Sequence, residues 1–360
     1  MKQSMFPVIF REQIPLAPYT SLGIGGPARF LAEVETETQV MEALEFADSR
    51  RLPVFILGGG SNIVVSDAGF DGLVIRVALR GIKQRNDGVM VAAAGEDWDA
   101  FVKRCVERRL AGIECLSGIP GTIGGTPVQN VGAYGQEVGE VIIAVRAVDR
   151  DTRHVVELSN KECGFAYRSS IFNTSRSERY LVMSVGYDLR SGGEPRISYP
   201  DIAQYFVDRT DSPTLAEVRE AVLQIRERKS MVLRQGDPDA KSAGSFFKNP
   251  LVPADVAERA EEAARRRGSL KRDEIMPHYP MADGRVKLSA AWLIERAGFA
   301  KSYSRGRVGL SSKHALALVN RGGATARELL DLMHEIQSGV GSVFGVELTP
   351  EPVFVGFKQA

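Results

Sequence analysis

Three stretches of the chain carry closely spaced glycines: SLGIGGPAR at 21–29, LGGGSN at 57–62 and SGIPGTIGGTPVQNVGAYG at 117–135. Glycine reaches φ > 0 without penalty and lets backbone N–H groups approach a ligand with no Cβ between them. Successive N–H groups in such turns make concave sites for phosphate. Each stretch by itself reads equally well as a tight turn. Spacing excludes two common phosphate binders. A Rossmann fingerprint should follow a strand and open a helix, whereas Gly23, Gly25 and Gly26 precede a strand and are spaced differently. No G-x-x-x-x-G-K-[ST] run occurs. A phosphate cradle of another kind is what remains.

The other chemistry-bearing residues narrow the field. Cys105, Cys115 and Cys163 are odd in number and lack metal-ligand spacing, so reduced thiols of a cytosolic protein are expected. His154, His278, His314 and His334 are scattered, and no metal is expected. With 46 basic against 45 acidic residues, no strong field exists to hold nucleic acid or an anionic membrane. The opening MKQSMFPVIFREQIPLAP lacks the apolar core of a secretion signal. No apolar run reaches the ~18–20 residues of a membrane helix. A cytoplasmic protein is expected.

A chain of 360 residues exceeds what one hydrophobic core usually serves, so two or three domains are expected. A strand at 28–34, a helix at 37–50 with Val40, Ala43, Leu44 and Ala47 on one stripe, and strands at 54–57 and 73–77 make a small α/β lobe. Next come a strand at 88–95 and an amphipathic helix at 98–110. Strands at 141–149, 154–158 and 181–189 follow, and Thr214 and Glu217 form a capping box for a helix ending near 228. The polar stretch 231–244 reads as a linker. The last third reads as an α+β lobe with helices at 254–267, 289–297 and 325–342 and strands at 314–320 and 352–357. Its charged segment 254–274 reads as a solvated helix face.

Taken in order, YTSLGIGGPARF, ILGGGSNIVVSD, SGIPGTIGGTPVQNVGAYGQEV, FAYRSSIF, SAGSFFKNP and LTPEPVFVG resemble the UDP-N-acetylenolpyruvoylglucosamine reductase family over residues 19–357. The resemblance implies an α+β fold: a two-subdomain FAD-binding module of vanillyl-alcohol-oxidase type (1–80 and 81–232) plus a C-terminal α+β substrate-binding domain (233–360). It implies NADPH-dependent, FAD-mediated reduction of an enolpyruvyl UDP-sugar in peptidoglycan precursor synthesis, by a monomer. The cofactor would be held non-covalently, since no His or Cys sits in the glycine loops.

The same resemblance implies site residues. Leu57, Gly58, Gly59, Gly60, Ser61 and Asn62 would form the pyrophosphate loop. Ile119, Pro120, Thr122, Gly124 and Gly125, with Asn130, Gly132 and Ala133, would line the rest of the cofactor. Ser245 would donate a proton to the α-carbon, while Arg168 and Glu351 would stabilise the enol-like intermediate. Alone, Ser245 would read as a turn residue, Arg168 as a surface ion-pair partner and Glu351 as a loop carboxylate. Tyr199, Lys229, Asn249, Lys301 and His314 would bind the substrate, although the family often carries glutamine where His314 stands. The stretch between Lys229 and the serine motif is also longer than in many members.

Two other readings remain on sequence grounds. A flavin oxidase of the same cofactor fold would react rapidly with oxygen and ignore UDP-sugars. A flavin or nucleotide-sugar binding module would be yellow yet consume no NADPH.

Overall fold

The computed structural model describes residues 7–85, 87–232, 236–271 and 273–357. They form two compact units. The first comprises residues up to Ile14, Ala28–Gly60 and Phe70–Val232; the second comprises Pro15–Pro27, Ser61–Gly69 and the residues after Val232.

In the first unit a four-stranded sheet runs Phe10–Pro15, Pro27–Val34, Phe70–Val77, Val54–Leu57, the last three parallel. Leu73, Val74 and Ile75 of strand Phe70–Val77 are consecutive, apolar and fully buried, so both faces of this strand are covered, as for parallel strands. Thr36 accepts a hydrogen bond from the Gln39 N–H and starts the helix Glu37–Ser49, whose Val40, Ala43, Leu44 and Ala47 are buried.

A five-stranded antiparallel sheet follows, ordered Val155–Ser159, Ile142–Asp149, Tyr180–Tyr187, Met90–Ala93, Ile82–Gln84. Helix Trp98–Glu107, capped by Asp97, buries Trp98, Phe101, Val102, Cys105 and Val106. Helix Leu215–Arg228 has the Thr214–Glu217 capping box in place. One continuous apolar cluster serves both sheets. The three cysteines are free and buried, and burial pushes the thiols of Cys105 and Cys163 up to about 12.

The second unit is built around helix Ala326–Phe344. This helix opens with the Thr325–Glu328 capping box, ends at Gly345 in the left-handed region, and turns Leu329, Leu332, Ile336 and Val340 inward. Two small three-stranded sheets flank it: Leu251–Val252, Val286–Leu288, His278–Pro280, and Ser304–Arg305, Val308–Leu310, Leu318–Asn320. Helix Ala254–Arg266 buries only Ala257, Ala260 and Ala264, leaving Arg259–Asp255 and Arg265–Glu261 pairs on its solvent side. Among the described residues no helix is long and apolar enough to cross a membrane.

Two local expectations give way. The first glycine stretch is packing, not cradle: a Cβ on Gly26 would lie 2.2 Å from the Asp67 carbonyl oxygen, so Pro15–Pro27 closes onto Ser61–Gly69. Ile63–Val65 pairs in parallel with Val353–Val355, which takes residues 61–69 into the second unit instead of the opening α/β lobe. The division between the units falls in the expected linker, after Val232; within that stretch Gly236, Pro238 and Lys241 are exposed, but Asp239, Ser242 and Ala243 are under a tenth exposed, and residues 233–235 lie outside those described. In addition, the strand foreseen at 314–320 shortens to Leu318–Asn320, because Ala317 donates to the His314 carbonyl and turns the chain before it.

Candidate active site

The loop after strand Val54–Leu57 owes its shape to close backbone approach. A Cβ on Gly58 would lie 2.8 Å from Thr122 Oγ1, and one on Gly59 would lie 2.7 Å from Gly121 Cα. The second and third glycine stretches therefore touch along bare backbone. Gly60 completes the turn at φ 64. Among the described residues, the N–H groups of Gly58, Gly59 and Gly60 donate to no protein acceptor. Three successive N–H groups of this kind are what a pyrophosphate needs. Ser61 and Asn62 fall in the second unit, where Asn62 Nδ2 donates to the Glu351 carbonyl at 3.3 Å.

The stretch 117–135 is different in character. Gly118 N–H donates to Asp99, which also takes two hydrogen bonds from Arg219. The N–H groups of Ile123 and Gly124 donate to Glu96 and Ala94, and Gly125 donates to Thr122. These amides are spent on holding the stretch in place. Gly125 is exposed, and a Cβ there would meet nothing within 4 Å, so its backbone faces open space that a ligand could use. Asn130 is buried, with Nδ2 on Glu137 and on the Ala166 carbonyl and Oδ1 on the Gly139 N–H; its amide braces the loop. Ile119, Pro120, Thr122, Gly132 and Ala133 are half-buried along the same stretch. The free amides of 58–60 and the bare backbone around them fit a dinucleotide cofactor such as FAD.

Arg168 follows in the same unit. It sits in a tight turn closed by the Ala166–Ser169 pair, at φ 51, a conformation bulky residues rarely hold. Asn130 and Tyr134 share that region, at φ 47 and 48. Arg168 Nη2 donates to the Gly132 carbonyl at 2.8 Å, joining the arginine to the cofactor stretch. Asn173 Nδ2 holds the Arg168 carbonyl from behind.

Tyr199 and Lys229 are also brought together here. Tyr199 packs edge-on against Tyr134, with centroids 5.4 Å apart, and starts helix Pro200–Tyr205. Asp201 on that helix pairs with Lys229 Nζ at 2.7 Å. Arg226 was not foreseen, although a lone cation on the apolar face of helix Leu215–Arg228 was a signal. It is 5% exposed and lies against Tyr134 and Gly118. Burial pushes its pKa down, and Tyr134 and Asp99 pull it back.

In the second unit three motifs are knitted by backbone bonds. Phe246 N–H donates to the Leu316 carbonyl at 2.7 Å, and Glu351 N–H donates to the Phe246 carbonyl at 2.9 Å. Lys248 N–H donates to Thr349. Ser245 and Glu351 thus stand on adjoining segments, with Phe246 and Phe247 buried beneath them. Ser245 Oγ lies 3.3 Å from His314 Nε2. Asn249 Oδ1 accepts from the Ala290 N–H and fastens helix Ala290–Arg296. Lys301 is exposed in a turn. Asp239, hidden in the expected linker, was missed: one carboxylate oxygen accepts from Ser311 Oγ, Ser312 N–H and Ser312 Oγ.

Comparison with known proteins adds to this geometry. Residues 237–355 match the model described as UDP-N-acetylenolpyruvoylglucosamine reductase, C-terminal domain, and residues 28–159 match one described as FAD binding domain. The UDP-N-acetylenolpyruvoylglucosamine reductase of Thermobifida fusca is 47% identical over 96% of this chain and 98% of its own. That of Streptomyces avermitilis is 47% identical over 96% and 94%. The solved structure of the enzyme from Thermus caldophilus superposes with a TM-score of 0.67 over 96% of this chain and all of that one; at 24% identity it speaks for the fold.

Proposed function

The chain belongs to the UDP-N-acetylenolpyruvoylglucosamine reductase family, and from that premise we propose that it reduces UDP-N-acetylglucosamine enolpyruvate to UDP-N-acetylmuramate with electrons from NADPH, as a cytoplasmic monomer. The observation that carries the reading is the joining, within one unit, of the segments bearing Ser245 and Glu351. The two sheets of the first unit are read as its two FAD-binding subdomains, with boundaries near residues 80 and 232.

Bound FAD supplies the hydride that the enolpyruvyl β-carbon takes. The N–H groups of Gly58, Gly59 and Gly60 are assigned to its pyrophosphate, and Gly125 to close backbone approach. Addition at the β-carbon builds negative charge on the α-carbon and its carboxylate. The Arg168 guanidinium, a planar fork of N–H donors, is assigned to that carboxylate. Glu351 is assigned a hydrogen bond to the developing enol. Ser245 then gives its proton to the α-carbon. Tyr199 is assigned to cover the substrate. Lys229 is assigned to the diphosphate, which requires it to exchange Asp201 for phosphate oxygens. Asn249 and Lys301 are assigned to the nucleotide-sugar, Asn249 through its Nδ2 while Oδ1 stays on Ala290.

NADPH and the sugar substrate are read as alternating at one position, so excess enolpyruvyl substrate should inhibit. The anaerobic half-reactions test the whole scheme. The yellow holoprotein should lose colour on addition of NADPH and regain it on addition of the enolpyruvyl UDP-sugar. In Ser245→Ala the first step should survive and the second should slow by roughly 10²–10⁴-fold. A protein that reoxidises only with oxygen would return the flavin-oxidase reading, and one inert to NADPH would return the binding module.

A further inference from the structure

We propose that His314 is a positioning residue for Ser245: its Nε2–H donates to Ser245 Oγ, aims the hydroxyl's own proton away from the ring, and stabilises the charge left on Oγ when that proton departs. The inference rests on the reading of Ser245 as the proton donor.

A serine hydroxyl is a weak acid, and handing its proton to carbon leaves an alkoxide that something must hold. Ser245 Oγ and His314 Nε2 are 3.3 Å apart, within reach of a hydrogen bond that can tighten when substrate is present. A hydroxyl has one proton. If the ring donates to Oγ, that proton must point elsewhere, and the hydroxyl is left oriented as a donor.

The surroundings hold this pair from both sides. Phe246 N–H is bonded to the Leu316 carbonyl, and Ser242 is bridged to Val319, so the serine segment runs beside the segment carrying His314. Six positions before Ser245, Asp239 is 1% exposed. Its Oδ2 takes hydrogen bonds of 2.9, 2.7 and 2.7 Å from Ser311 Oγ, Ser312 N–H and Ser312 Oγ. Ser311 Oγ in turn accepts from the Lys313 and His314 N–H groups. The other carboxylate oxygen of Asp239, Oδ1, is buried with no hydrogen-bond partner among the described residues. Burying a carboxylate costs free energy unless every bond it makes is well placed. Here those bonds converge on the turn that delivers His314, and a residue needed only for loose contact with a sugar would not require such a bracket.

The chemistry balances simply. The Ser245 O–H bond breaks as the C–H bond at the α-carbon forms, and Oγ recovers a proton from solvent before the next turnover. No electrons pass through the histidine.

The test uses the holoprotein, reduced anaerobically with NADPH and mixed with the enolpyruvyl UDP-sugar. His314→Ala should be reduced by NADPH at the wild-type rate but should reoxidise about 10²-fold more slowly. His314→Gln, which keeps an N–H donor, should recover most of the rate. The Ser245→Ala, His314→Ala double variant should be no slower than Ser245→Ala alone, as for residues acting as a unit. In a separate readout that needs no turnover, the ¹⁵N resonance of His314 Nε2 should shift in Ser245→Ala. The proposal is overturned if His314→Ala reoxidises at the wild-type rate. It is also overturned if only KM for the sugar rises, or if the ¹⁵N resonance ignores Ser245→Ala. Should Ser245→Ala itself reoxidise normally, the proton-donor reading falls first; if Ser245→Ala is slow and His314→Ala is fast, only the present inference falls.

Discussion

Gly59 is where one missing carbon decides most. Its absent Cβ would sit 2.7 Å from Gly121 Cα and 3.3 Å from the Thr122 nitrogen, both backbone atoms that cannot swing aside. Gly59→Ala should push the two glycine stretches apart and spoil the alignment of the neighbouring N–H groups. We expect FAD affinity to fall at least about tenfold, roughly 1.4 kcal/mol, read as flavin absorbance retained through gel filtration. Arg168 is a different case, because its reading depends on shape as well as charge. Lysine keeps the charge but loses the planar fork, so Arg168→Lys should slow reoxidation by the sugar about 10²-fold and leave reduction by NADPH unchanged. At this scale the sequence was informative through motifs alone. Ser245, Arg168 and Glu351 are ordinary residue types in unremarkable local patterns, and only their ordered context marks them. The hydrogen bond between Ser245 and His314 spans 69 positions, a separation that no local pattern encodes.

At the scale of elements, local rules did most of the work. The stripe of Val40, Ala43, Leu44 and Ala47 and the Thr214–Glu217 box specify their helices directly, because capping and amphipathicity act within a few residues. The segment 231–244 was only partly legible. Its two glycines, lysine and two aspartates read as a linker, and the division between the two units does fall in it after Val232, yet Asp239 is held by partners more than seventy positions away. Strand ends carry a testable electrostatic consequence. Asp149, closing strand Ile142–Asp149, accepts two hydrogen bonds from Arg179 at 3.1 and 2.7 Å. Arg179 holds its carboxyl down to about 2, below the ~3.9 of an unfolded chain. The folded form therefore binds this proton less readily than the unfolded form. The stabilisation is complete above about pH 5 and is lost as pH falls towards 2. Asp149→Asn should melt lower than the wild type at pH 7, and the gap in Tm should close progressively between pH 4 and pH 2.

At the scale of the molecule, the second unit is a composite of three chain segments. Its apolar core takes Leu22 and Ile24 from one excursion and Val64 from another, each at most 2% exposed. Ile63–Val65 supplies the strand on which Val353–Val355 pairs, and Asp67 accepts from the Ala326 and Arg327 N–H groups, capping the central helix. Composition showed no boundary inside the first eighty residues, because residues 15–27 and 61–69 are as apolar and glycine-rich as their neighbours; their membership is set by pairing. A contiguous cut at 232/233 would therefore leave the C-terminal part without a paired final strand, without part of its core and without the Asp67 acceptor for the first two N–H groups of its longest helix. Each large apolar side chain missing from the core costs about 2 kcal/mol or more. Domains are stable by only about 5–15 kcal/mol in total. A fragment of residues 233–360 should therefore give the narrow amide dispersion of an unfolded chain in a ¹H–¹⁵N spectrum. A permuted chain in which residues 15–27 and 61–69 are fused ahead of 233–360 should regain dispersed resonances. A well-dispersed spectrum from 233–360 alone would mean that those two excursions ornament the unit instead of completing it.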